Sequence, residues 1–196
     1  MYDNNKSSWT SSIHYILNKL NIQCSIHDKN IVSIVTNKLH EQFRYSWCST
    51  LSDIADKQCG KLRTYSLFKT RFCRENYFSV IRNPQVLKCF TNFRISSHSL
   101  AIETGRYTKT QVNERKCSVC KSDCVEDEFH FTFDCTAYQH LRKPFIESMN
   151  TLYKNFINLC DREKFIWLMS NECDSVIENF ANYIYSCSQL RKVGLS

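Results

Sequence analysis

At 196 residues the chain can bury a sizeable core without help, so no disulfide framework or metal is needed merely to reach a foldable size. Three glycines and two prolines against 42% hydrophobic and 13% aromatic residues argue against a many-turned β-sandwich and predict an all-α fold. The net charge of +7 is concentrated: residues 57–121 hold fourteen basic and three acidic side chains, whereas residues 122–196 carry a net −4 and residues 1–56 balance to zero.

Along the chain, SSWTSSIHYILNKLNI sets Trp9, Ile13, Ile16, Leu17 and Leu20 at helical spacing, with Ser7 or Ser8 as the N-cap. From about Asp28, the residues Ile31, Val35, Leu39, Phe43, Trp47 and Leu51 recur every four positions, with Gly60 as a natural stop. That spacing drifts around a 3.6-residue helix, so the stripe winds or the segment breaks in two. In KLRTYSLFKTRF, the residues Leu62, Tyr65, Phe68 and Phe72 predict a helix that is apolar inside and presents Arg63, Lys69 and Arg71 outside.

Asn83-Pro84 is a strong helix start, an N-cap followed by proline where its missing N–H costs nothing. Val86, Leu87, Phe90 and Phe93 supply the inner face of that helix. FRISSHSLAIETGRYTK predicts a turn at Ser96–Ser99 and a short helix through Leu100 and Ile102 that stops at Gly105. Beyond residue 135, TAYQHLRKPFIESMN, DREKFIWLMS and SVIENFANYIYSCSQLRK each carry helical periodicity, with Phe145, Phe165, Leu168, Phe180 and Ile184 among the inward residues.

Twelve cysteines would suit a secreted disulfide scaffold, but MYDNNKSSWT has neither a basic n-region nor an apolar run, and no stretch is apolar enough to span a membrane. The expectation is an intracellular, reducing location, nuclear or cytoplasmic. Eight cysteines, Cys24, Cys48, Cys59, Cys73, Cys89, Cys160, Cys173 and Cys187, stand isolated and read as reduced thiols.

The other four crowd into CSVCKSDCVEDEFHFTFDC. Cys117, Cys120, His130 and Cys135 form C-x2-C-x9-H-x4-C, the donor set of a closed, tetrahedral structural Zn2+ site. Cys124 and His140 compete for places in it. If EDEFHFTFDC is helical, His130 and Cys135 converge only where the helix loosens; alternation of Phe129, Phe131 and Phe133 equally allows a strand. Four protein ligands leave no position for water or substrate, and neither a glycine-rich phosphate loop nor a legible catalytic constellation is present, so no enzyme is expected. The organisation that follows is a helical segment 1–112, a zinc knuckle 113–140 and C-terminal helices 141–196.

A basic segment beside a zinc knuckle points to RNA or single-stranded DNA as partner, with a protein partner as the rival. Lys61, Arg63, Lys69, Arg71, Arg74, Arg82, Arg94, Arg106, Lys109, Arg115 and Lys116 interleave with aromatic residues here. The preferred phosphate contacts are Arg106, Lys109, Arg115 and Lys116, which flank the knuckle, together with Lys69 and Arg71.

In order, KLRTYSLFKTRF, FRISSHSLAIETGRYTK, CSVC and EDEFHFTFDC, followed by an LR-containing helix, resemble the C-terminal region of non-LTR, LINE-type retrotransposon reverse transcriptases. SSWTSSIHYILNKLNI is similar to the segment between polymerase and knuckle in that family. The resemblance implies that Cys117, Cys120, His130 and Cys135 take the family's metal positions and that the knuckle binds the element's RNA or its target DNA. The chain departs from the family in lacking a Y-x-D-D box and any P-D with a following D/E-x-K pair. It therefore resembles a tail without its polymerase.

Overall fold

The computed structural model describes residues 9–25, 27–57 and 61–194, with side chains 54–57 left aside. The expected cap at Ser7 or Ser8, the stop at Gly60 and Cys59 lie outside the described residues. The described residues are helical, with no strand and one isolated antiparallel bridge, Lys116 to Val125. No described helix is long and apolar enough to cross a membrane. The chain divides into two compact units, Met1–Leu51 and Ser52–Ser196, so the cysteine-rich segment shares a unit with the helices on both sides of it.

In the first unit, helix α1 (Trp9–Lys19) ends in a turn where Asn21 adopts φ 54°, a left-handed conformation that asparagine tolerates. Leu17 and Leu20 are buried. Helix α2 (Ile31–Lys57) is entered through an Asx turn, the Asn30 N–H donating to Asp28 Oδ1 at 2.8 Å, and is unbroken. Its drifting stripe leaves Phe43 64% exposed and buries Leu51.

The second unit is built around α9 (Asp174–Gly194). Helices α4 (Tyr77–Val80), α5 (Pro84–Arg94), α7 (Gln139–Leu152) and α8 (Asp161–Ser170) pack on α9, and the single turn α3 (Tyr65–Phe68) packs on α8. Val176, Ile177, Phe180, Ala181 and Ile184 of α9 are buried, as are Val86, Phe90 and Phe93 of α5. Phe90 meets Phe180 edge-on at 5.6 Å, and Phe145 of α7 stacks on Tyr183 at 4.3 Å. Helix α5 begins as the Asn83-Pro84 signal requires, the Asn83 side chain accepting from the backbone N–H groups of Gln85 and Val86.

Two local expectations are overturned. KLRTYSLFKTRF is not one helix: Leu62 has φ 70°, helix is confined to Tyr65–Phe68, and Lys69 is extended. Nor do Arg63 and Lys69 face outward. Arg63 reaches the buried carboxylates of Glu103 and Glu128, and Lys69 turns back to Glu75 at 3.7 Å and to the Cys73 carbonyl at 2.8 Å. These inward pairings outweigh a helix's local periodicity.

Gly105 is not a stop. Helix α6 (Ala101–Tyr107) runs through it, and a Cβ there would lie 2.6 Å from the Arg115 side chain, so the glycine makes room for an arginine crossing the helix.

Candidate metal centre

The knuckle starts as a short two-chain pairing. Cys117 N donates to Cys124 O at 3.0 Å and Glu126 N to Arg115 O at 2.9 Å, while Lys121 takes φ 55° in the turn between them. This pairing folds Cys117 and Cys120 to one side and leaves the Cys124 side chain exposed.

The second half turns on helix geometry. Five residues along an α-helix cover about 500°, which would leave His130 and Cys135 some 140° apart. Residues His130–Asp134 instead form a π turn, and the Cys135 N–H donates to the His130 carbonyl at 2.8 Å, five residues back. The widened turn brings both side chains to the same place. Asp127 starts it, its Oδ1 accepting from His130 N at 2.8 Å.

A π turn disrupts the ordinary ladder, and its carbonyls here are claimed by side chains from later helices. Arg142 of α7 donates to Thr132 O at 3.0 Å and to Cys135 O at 2.6 Å, and Tyr183 of α9 donates to Thr132 O at 2.7 Å. Arg142, from the leucine-arginine pair of α7, thus ties that helix to the knuckle.

Cys117, Cys120, His130 and Cys135 bring one donor atom each to within 4.8 Å of one another. Cys117 Sγ and Cys135 Sγ are 3.9 Å apart, and Cys120 Sγ and His130 Nε2 are 3.4 Å apart. Three of the four residues are buried and Cys120 is half-buried. The cluster can hold a metal ion. Cys124 and His140, both exposed, are not part of it.

Burial pushes the Cys117 thiol up and Cys135 to about 12. Burial also opposes ionisation of Cys120, but the Ser122 hydroxyl 3.0 Å away, the Ser122 backbone and the two neighbouring thiols hold it down at about 6. Three cysteine sulfurs and an imidazole nitrogen are donors that suit a metal cation. His130 directs Nε2 at the cluster, and its Nδ1 is buried with no hydrogen-bond partner among the described residues.

Three acidic residues lead into this turn, and all are used internally. Glu126, 1% exposed, takes a bidentate pair from Arg191 of α9 and accepts from Ala101 N at 2.7 Å. Glu128, 0% exposed, accepts from Arg63, from His98 Nε2 at 2.9 Å and from Ser96 Oγ at 3.3 Å. Burial works to raise it, yet His98 and Arg63 keep Glu128 at about 2. Sequence reasoning missed these partners. The available signal was a run of acids inside an aromatic, buried stretch, because such carboxylates need basic partners drawn from elsewhere.

Five of the six expected phosphate contacts have partners within the protein. Lys69 and Arg71 pair with Glu75 and Glu172, Arg106 with Glu103 at 2.9 Å, and Lys116 with Asp123 at 3.2 Å. Arg115 spends its guanidinium on the carbonyls of Ile102 and Thr110 at 2.7 to 3.0 Å. Lys109 is exposed and makes no ion pair with a described residue. Arg94, a further member of the basic set, is 4% exposed, donates to Met169 O at 2.7 Å and to Glu75, and lies over the Phe68 ring at 4.5 Å. Besides Lys109, the residues Lys61, Arg74, Arg82, Lys88 and Lys121 are exposed with no ion pair to a described residue.

Comparison with protein-family models, with curated proteins and with solved structures finds no match.

Proposed function

We propose that this chain is a nucleic-acid-binding module organised by a structural Zn2+, equivalent to the C-terminal region of a non-LTR retrotransposon reverse transcriptase, and with no catalysis of its own. Zinc is supported by ligand chemistry and by spacing. Zn–S bonds of about 2.3 Å and Zn–N bonds of about 2.0 Å give tetrahedral edges of about 3.8 Å between sulfurs and about 3.5 Å between sulfur and nitrogen. The 3.9 and 3.4 Å separations lie close to both. With four protein donors the ion has no open position, so its contribution is to fix the chain around it.

The observation that carries the nucleic-acid reading is that unpaired cations outlast the internal pairing. Seven of the fourteen basic side chains in residues 57–121 are held by carboxylates or carbonyls, and the strongest potential mask, Glu126 and Glu128, is turned inward. Arg74, Arg82, Lys88, Lys109 and Lys121 remain exposed and unpaired among the described residues, free to replace counterions on a phosphate backbone. The test is binding of the zinc-loaded chain to labelled single-stranded RNA and DNA at low salt, beside a chelator-treated sample. Binding that falls on chelation supports the reading, and a loaded chain that binds neither strand overturns it.

A second reading, a zinc-stapled protein-interaction module, is favoured by α1 and α2, where Trp9, Val32, Phe43 and Tyr45 are 64 to 79% exposed. It predicts zinc uptake without affinity for nucleic acid.

A further inference from the structure

Two cavities of comparable size flank α5. One, of about 420 Å³, is lined by Lys69, Arg71, Arg74 and Arg94 but also by Glu75 and Glu172, which already engage three of those cations. The other, of about 530 Å³, lies between α5, the 97–100 turn and α9, and no carboxylate of a described residue lines it. Its walls carry Lys88 and Asn92 from α5, His98 from the turn, and Tyr185, Gln189 and Lys192 from α9. The acids nearest in structure, Glu126 and Glu128, sit behind Arg191 and His98, each buried and already bonded to them.

Two side-chain amides of this second cavity are open for use. The side-chain amides of Asn92 and Gln189 are half-buried and make no hydrogen bond to a described residue. Each amide offers paired donors and acceptors of the kind that match a base edge. The Tyr185 ring is half-buried beside them, with its hydroxyl anchored on Gln85 at 2.9 Å, a geometry that fixes an aromatic face. Phe93 and Phe131 form an apolar floor. His98 adds a buried Nδ1 with no hydrogen-bond partner among the described residues. Lys88 and Lys192, on opposite walls, are both exposed.

Cations at the rim, unpaired amides within, an aromatic wall and no carboxylate make a combination suited to a nucleotide. An acidic peptide would use the lysines and leave the amides and the ring idle. We propose that this groove seats one unpaired nucleotide of a bound single strand, its base against Tyr185 and the amides of Asn92 and Gln189, its phosphate at Lys88. This rests on the nucleic-acid reading above and places base contact on the α5–α9 face, away from the positions flanking the knuckle.

The experiment compares zinc-loaded full-length wild type, the Asn92→Ala/Gln189→Ala variant and Lys88→Glu for binding a short labelled oligouridine across a salt series, with melting temperature confirming the fold. Loss of the amides is expected to weaken binding about tenfold with the salt slope unchanged. Lys88→Glu is expected to flatten the slope by about 0.7. A photoreactive thiouridine on the wild-type chain should crosslink near Tyr185. If the wild type binds while the amide variant binds equally well, or crosslinks fall only on residues 106–121, the groove assignment is wrong and the broader reading stands. If poly-glutamate displaces the RNA as effectively as RNA itself does, the nucleotide seat is overturned in favour of an acidic peptide. If the wild type does not bind at all, both fail together.

Discussion

Arg191 on α9 grips Glu126 in the knuckle through two contacts of 2.8 Å, Nε to Oε1 and Nη2 to Oε2, with both residues under 10% exposed. The pair fastens the last helix to the segment between the two halves of the metal cluster, although 65 residues separate them in sequence. Planar, bidentate and buried, it has the geometry in which an arginine cannot be replaced by lysine without loss.

Removing one partner leaves the other charged in a dry environment. Arg191→Met should lower unfolding stability by about 3 to 5 kcal/mol, and Arg191→Met with Glu126→Gln should recover part of it. Urea titration of the four corners of this cycle checks the expectation. Equal stability for Arg191→Met and wild type would mean that the helix is not held this way.

The ligand set makes its own prediction. Cys135→Ser should abolish uptake of the metal, whereas Cys124→Ser and His140→Ala should each retain one equivalent, because Cys124 and His140 lie outside the cluster. Native mass spectrometry of the 23.2 kDa chain resolves one ion per protein. Metal retained by Cys135→Ser and lost by Cys124→Ser would move the site to a different set of thiols.

Gly105→Ala ordinarily stabilises a helix by about 1 kcal/mol. Here the added methyl would meet Arg115 Cγ, Cδ and Nε at 2.6 to 2.7 Å, and that side chain is pinned by three hydrogen bonds to carbonyls. The substitution should therefore destabilise, by about 1 to 2 kcal/mol. A rise in melting temperature would show that Arg115 moves aside freely.

Tyr138 is 0% exposed, packs edge-on against Phe131 at 5.0 Å, and its hydroxyl has no hydrogen-bond partner among the described residues. Tyr138→Phe keeps the ring and removes the uncompensated oxygen, so stability should stay level or rise by about 1 kcal/mol. A clear loss of stability would show that the hydroxyl has a partner after all.

What the sequence made legible was local chemistry. The four ligands stood out because thiolates and an imidazole at that spacing have few other uses, and α5 was announced by Asn83-Pro84. The inner faces of α7, α8 and α9 followed from their 3.6-residue period. What could not be read was long-range electrostatics. Arg63 and Lys69 fell on a nominal outer face, yet the buried carboxylates of Glu103 and Glu128, brought near by the tertiary fold, turn Arg63 inward, and the half-buried Glu75 holds Lys69. That the helix must loosen between His130 and Cys135 was legible from their spacing, but not the hydrogen bonds that Arg142 and Tyr183 donate to the carbonyls of the π turn at His130–Asp134. Gly105 misled for the same reason: a glycine reserved for a neighbour's side chain is indistinguishable, in one dimension, from a helix terminator.

The most direct measurement is the affinity of the zinc-loaded chain for single-stranded RNA as a function of salt. Each phosphate neutralised contributes about −0.7 to the slope of log K against log salt, so contact by the exposed, unpaired cations predicts a slope of about −2 to −4. A slope in that range, lost with the bound metal, is the result this account predicts. A flat dependence, or no binding at the lowest salt, would contradict it.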